Sequence, residues 1–286
     1  MIEFIDDSEP WRPTTSGERL LFLLLKNHKE ARYLSDALTE SGLRFARRYG
    51  DWSNFLIGAS LLHLQQRLIK LGNDVRESAA NRLDQIRELR ARTCDIVQLT
   101  PIEYGADFGE LIQEVLVSAE QMRRNIPDGL RKAVLRTGGQ RCYSCGRLFG
   151  AVHDMEEGEL KPTVDHVWPR ALGGDSGEEN LLLACQSCNS TKGHIATWHM
   201  AWIQPIVFSD IDEVDGPPPV PREVQMALHM RAATTYARAN GTTLRDAFLT
   251  IGPRDRPAKI DLEQGYDFFN MRVHDETRTM VKWIPG

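Results

Sequence analysis

The stretch Thr163-Val164-Asp165-His166-Val167-Trp168-Pro169-Arg170-Ala171-Leu172-Gly173-Gly174 decides how this chain is read. It is followed by Glu179-Asn180-Leu181-Leu182-Leu183-Ala184 and then by Cys185-Gln186-Ser187-Cys188-Asn189-Ser190-Thr191-Lys192-Gly193. Thr163, Val164 and Val167 are strand formers, and Pro169 with Gly173-Gly174 forces the chain to turn. Leu181 to Leu183 read as a second strand, and the residues after Cys188 as the start of a helix. A ββα unit results.

Two C-x-x-C pairs bracket this unit. Cys142 and Cys145 form the first, Cys185 and Cys188 the second, and 39 residues separate them. Each turn lets two thiolates converge, and two such turns complete the tetrahedral sulfur site that zinc favours in structural positions. The alternatives are two unrelated surface pairs or a thioredoxin-like redox pair. An ordinary zinc ribbon separates its knuckles by roughly 15–20 residues, so the loop here has room for another element. The fifth cysteine, Cys94, lies in a helical pattern and reads as a small hydrophobe.

From about Pro127 to His199 the residues resemble the HNH endonucleases, with a ββα-metal fold and two zinc knuckles. Asp165-His166 matches the family's first motif pair, Asn180 the middle asparagine and Asn189 the last position, which makes an H-N-N variant. Gly138-Gly139-Gln140-Arg141-Cys142 and Gly173-Gly174 also look like the family. The resemblance implies a chemistry that suits these residue types. Phosphodiester hydrolysis needs a water nucleophile, a group to take its proton and positive charge beside the leaving oxygen. His166 is the expected general base, because an unperturbed imidazole is largely neutral at physiological pH. Asp165 and Asn189 are the expected oxygen ligands of one divalent cation, magnesium or manganese. Asn180 is expected to tie down the loop behind the histidine strand. Lys192 and Arg170 are candidates for phosphate contact. His194 and His199 follow Asn189 and read as surface or packed histidines, with approach to the metal as the alternative, and Trp198 and Trp202 read as core rather than base-stacking platforms.

The formal charge of −5 argues against blanket nucleic-acid binding, so such a partner needs a local basic patch. Residues 123–147 supply one: Arg123, Arg124, Arg131, Lys132, Arg136, Arg141 and Arg147 stand against the single acid Asp128. Arg131, Lys132, Arg136 and Arg141 are the expected nucleic-acid contacts. They would bind phosphate in a salt-dependent way. Arg82, Arg87, Arg90 and Arg92 are interleaved with Asp84 and Glu88, which points to pairing within one helix.

Outside this module the pattern is helical. Apolar residues recur at three- and four-residue spacings from Ser16 to Cys94. Phe108, Leu111, Ile112, Val115 and Leu116 form one face of a helix expected over Asp107 to Arg124. A short helix is expected from Asp128 to Arg136. The acidic, proline-rich run from Ser209 to Pro221 reads as a linker. The expected class is therefore α+β and mainly helical. A helical region (1–126) precedes a zinc-stabilised nuclease module (127–208), which is followed by a linker and an α-rich extension (209–286). The apolar run Leu20 to Leu25 is far below the roughly 20 residues of a membrane span. The acidic first residues lack a secretory pattern, so a cytoplasmic location is expected.

The function expected is a metal-dependent endonuclease cutting DNA, with residue types that do not distinguish DNA from RNA. The N-terminal helical region is the candidate surface for a protein partner or a gate. An HNH module joined to such a region also resembles effectors of bacterial anti-phage systems, restriction enzymes and mobile-element nucleases. The alternative is a non-catalytic, zinc-stabilised nucleic-acid-binding or adaptor module. Retention of Asp165, His166 and Asn189 together weighs against it, because binding alone has no need of them.

Overall fold

The structure, a computed structural model, describes residues 10–27, 50–79, 81–97, 100–149, 160–197 and 222–254. In chain order its helices are α1 (Ser16–Asn27), α2 (Gly50–Ser78), α3 (Arg82–Val97), α4 (Pro101–Tyr104), α5 (Phe108–Arg123) and α6 (Asp128–Thr137). Strands β1 (Pro162–His166) and β2 (Leu181–Cys185) follow, then α7 (Gln186–Lys192), α8 (Arg222–Asn240) and α9 (Leu244–Ile251). The fold is α+β and mainly helical. His199, Trp198, Trp202 and the 209–221 linker lie outside the described residues. Among the described residues no helix is long and apolar enough to cross a membrane.

The apolar stripe of α5 is buried as its spacing predicts, and α5 packs against α1 and α2. Gly72 permits that approach, since a Cβ there would lie 3.0 Å from the Ala119 side chain. On α3, Arg87 pairs with Asp84 and Arg92 with Glu88, the intrahelical pairing the sequence suggests.

The N-terminus of α1 is fixed by one buried carboxylate. Glu18 accepts from Trp11 Nε1 at 2.7 Å and from the backbone and hydroxyl of Thr15 at 2.9 and 2.8 Å. Glu18 N donates back to Thr15 Oγ1 at 3.2 Å, so the two residues form a capping box that satisfies two backbone donors of the helix start.

The strands are antiparallel, running from Pro162 opposite Cys185 to His166 opposite Leu181. Every residue of β2 is buried, and α6 and α7 both pack on the pair. The helix of the ββα unit, α7, starts at Gln186 rather than after Cys188. Cys185 acts as its N-cap, its sulfur accepting from Cys188 N, so the second knuckle and the helix start are one turn.

A single hydrophobic cluster joins the three regions. It contains Trp11, Leu20 and Leu24 from the N-terminal side, Trp168, Leu172 and Leu182 from the strand unit, and Met230, Leu244 and Phe248 from the C-terminal helices. One junction lies between α1 and the turn after β1. Gly17 N donates to Gly173 O at 3.0 Å, and Gln65 Nε2 donates to Gly17 O at 2.7 Å and Leu172 O at 2.9 Å. A Cβ on Gly17 would lie 1.9 Å from Leu172 O.

Gly17→Ala should therefore destabilise the protein by about 1–3 kcal/mol, as overpacking does. Chemical unfolding measures this, and an unchanged midpoint would show that α1 does not sit on the turn.

His229 on α8 is buried and donates through Nε2 to Gly252 O at 2.8 Å. Burial pushes its imidazole down to about 4, opposed by that hydrogen bond and assisted by the Arg254 charge. Between pH 6.5 and 4 the unfolded chain binds a proton here that the folded chain does not, so stability falls as pH is lowered through that window. The contribution is on the order of 3 kcal/mol at its limit. Urea midpoints for the wild type and His229→Gln should converge in slope above pH 7 and diverge below 6, the wild type losing more.

Candidate active site and zinc cluster

Strand alternation sends Asp165 and His166 to different sides of β1. Asp165 is only 4% exposed. Its Oδ1 accepts from Lys192 Nζ at 3.1 Å and its Oδ2 from Tyr143 OH at 2.8 Å. Lys192 Nζ also donates to the backbone carbonyl of His166. This corrects the reading of Lys192 as a phosphate contact: its side chain is 1% exposed and its ammonium is spent on the strand end. Burial, reinforced by the Asp165 charge and hydrogen bond, pushes the Tyr143 phenol well above its ordinary value, so it remains a donor.

His166 Nε2 lies 3.0 Å from Ser176 Oγ. Burial, with the charges of Arg170, Lys192 and Arg131, pushes the imidazole down to about 4 and keeps it neutral at physiological pH. Asn189, in α7, donates through Nδ2 to Thr163 Oγ1 at 3.1 Å, and Thr163 in turn donates to Ala184 O at 3.0 Å. Its amide oxygen is what remains for a cation. Asp165, His166 and Asn189 line one cavity of about 300 Å³, together with Arg131, Arg170 and His194. Asp165 and Asn189 both line this cavity, and a carboxylate with an amide oxygen is a donor set of the kind that magnesium or manganese takes. A carboxylate has about four acceptor positions, so the two hydrogen bonds on Asp165 leave it lone pairs for a cation.

Asn180 is 2% exposed and fully used. Trp168 N donates to its Oδ1 at 2.7 Å, while its Nδ2 donates to Trp168 O at 3.0 Å and Asp175 O at 2.9 Å. It bonds neither the cavity nor the histidine ring, and it clamps the two ends, Trp168 and Asp175, of the turn that carries Arg170 and leads into Ser176.

The cations of the sequence divide into groups. Arg131, Lys132, Arg136 and Arg141 are exposed on α6 and the chain after it. Arg123 is paired with Glu77 and Arg124 with Glu120, so the nominal charge of the 123–147 stretch overstates what faces solvent. Arg170 spends one nitrogen on Met122 O at 2.8 Å, which ties the turn to the end of α5, while it still lines the cavity.

Three positioning residues escape the sequence reading: Tyr143, Thr163 and Ser176. Thr163 had a signal, because it stands two residues before Asp165 and so shares its side of the strand. Tyr143 and Ser176 had none, since each reaches its partner only through tertiary folding.

The four knuckle cysteines are buried, and their sulfurs all lie within 4.8 Å of one another. Cys145 and Cys185 sulfurs are 3.9 Å apart, close to the roughly 3.8 Å edge of a tetrahedron with zinc–sulfur bonds of about 2.3 Å. Hydrogen bonds among the four sulfurs push the Cys145 and Cys188 thiols down and the Cys142 and Cys185 thiols up. The donor set and its spacing fit a structural zinc.

Residues 142–194 match the family model described as HNH endonuclease. Comparison with curated proteins and with solved structures finds no match. The chain therefore carries an HNH module with the cysteine cluster inside it, and such a module points to nuclease-type chemistry and to nucleic-acid binding.

Replacing Asn180 by Ala leaves Trp168 N, Trp168 O and Asp175 O without their partner in a buried turn. The cost should be about 2–4 kcal/mol, read as a lower urea midpoint. A loss under 0.5 kcal/mol would mean that the turn is held by other contacts.

Proposed function

We propose that this chain is a metal-dependent HNH endonuclease that hydrolyses DNA phosphodiester bonds. The observation that carries the reading is that Asp165, His166 and Asn189 line one cavity, with Arg131 and Arg170 on its walls. With its proton on Nε2, His166 donates to Ser176 Oγ and keeps a lone pair on Nδ1. That lone pair accepts the proton of the attacking water. Asp165 and Asn189 would hold one magnesium or manganese, which when bound supplies positive charge to the scissile phosphate and leaving oxygen. Tyr143 and Lys192 fix the Asp165 carboxylate, and Thr163 fixes the Asn189 amide. Arg131 and Arg170 attract the phosphate, and the exposed Lys132, Arg136 and Arg141 extend the basic track for backbone contact. RNA offers the same phosphate chemistry and is the competing substrate in the assay. The biological setting suggested by the resemblance is an effector of bacterial anti-phage defence, with the N-terminal helices as the partner surface.

A second reading is favoured by the buried pair between Lys192 and Asp165. An ammonium already on that carboxylate suits a zinc-stabilised module that binds nucleic acid without cutting it.

One assay separates the readings. Wild-type protein should nick or linearise supercoiled plasmid with magnesium or manganese and stop when chelator is added. His166→Ala, still holding its zinc, should cut at least about 100-fold more slowly, the loss typical of a missing general base. An unchanged rate in that variant would overturn the assignment of the base. Retention of DNA with no cleavage across the metal series would establish the second reading.

A further inference from the structure

The C-terminal helices carry no motif, yet they end on the cysteine cluster. After α9 the chain passes through Gly252 and Pro253 to Arg254, whose side chain is 2% exposed. Arg254 Nη1 donates to Cys188 Sγ at 3.1 Å and to Ser144 Oγ at 2.7 Å, and Arg254 N donates to Ser144 O at 2.8 Å. Ser144 lies within the first knuckle and Cys188 belongs to the second, so one guanidinium bridges both. Its Nε approaches Gln225 Oε1 of α8 at 3.5 Å. Met226, one residue on, is buried in the same cluster as the four cysteines. Gly146, at the end of the first knuckle, has φ +72° and meets Pro253, where a Cβ would come within 2.9 Å.

We propose that Arg254 is the outer counter-cation of the tetrathiolate site, so that docking of α8 and α9 and retention of zinc are one coupled event. The inference rests on the zinc reading above. Four thiolates around one zinc ion leave a net negative charge, which is costly to bury. A guanidinium donating to one sulfur offsets part of that charge, withdraws electron density from the Cys188 thiolate and shields it from electrophiles. Arginine suits the position better than lysine because Nη1 serves the sulfur and the hydroxyl while Nε of the same planar group reaches Gln225, a second point that a single ammonium lacks. Groups that hydrogen-bond metal ligands commonly change metal affinity 10–100-fold when removed.

The test compares the zinc-loaded full chain with Arg254→Gln and Arg254→Lys. Three quantities are read: zinc release to a chromogenic chelator, alkylation of each cysteine by iodoacetamide followed by mass spectrometry, and helical content by circular dichroism. Arg254→Gln should release zinc about 10-fold faster or more, with Cys188 labelled ahead of the other three cysteines. Arg254→Lys should fall between it and the wild type. If Arg254→Gln fails to fold, Arg254→Lys decides: faster release with helical content intact supports the coupling, and wild-type release overturns it. A folded Arg254→Gln with wild-type release, or one that labels all four cysteines alike, also overturns it. Wild-type protein that holds no zinc and takes up none when it is supplied would instead overturn the zinc reading itself.

Discussion

The module is organised around a carboxylate that water barely reaches. A charged Asp165 in the interior is tolerable only because donors meet both of its oxygens, and those donors come from different parts of the chain. Tyr143 reaches it from inside the first knuckle and Lys192 from the last turn of α7. The same ammonium takes the His166 carbonyl. One buried ion pair with a phenol thus fixes the strand end, the knuckle and the helix relative to each other, and the strand end and the helix line the cavity.

The loop between the strands is held from outside as well as from within. Asn180 closes it internally, while α1 and α2 hold it externally through Gly17 and Gln65. Ser16 Oγ donates to Asp175, the neighbour of the Ser176 that contacts His166. The N-terminal helices are therefore continuous in packing with the site. A change in how α1 sits has a short covalent and hydrogen-bonded path to the histidine.

Charge follows the same division between structure and exposure. An overall acidic chain shows exposed cations along α6, next to the cavity that contains Arg131 and Arg170. Other cations are consumed internally. Arg123 and Arg124 are paired with glutamates, Lys192 is buried on Asp165, and Arg254 lies against a cluster sulfur. Counting charges along the chain cannot separate these groups, because pairing and burial are set by what folds beside them.

What the sequence determined by itself was local or periodic. The α5 stripe, the two strands with the turn between them, and the cysteine spacing are visible because secondary-structure periodicity and metal-ligand geometry act over a few residues. Asp165, His166, Asn180 and Asn189 could be named as candidates from the motif for the same reason. The tertiary structure alone decided what each partner does. Lys192 became a buried brace instead of a phosphate contact, Tyr143 and Ser176 entered the site from outside the motif, and Arg254 came to the cysteines from 66 residues beyond Cys188. Those pairings depend on long-range packing that satisfies buried charge, and no spacing along the chain encodes where that packing brings two side chains together.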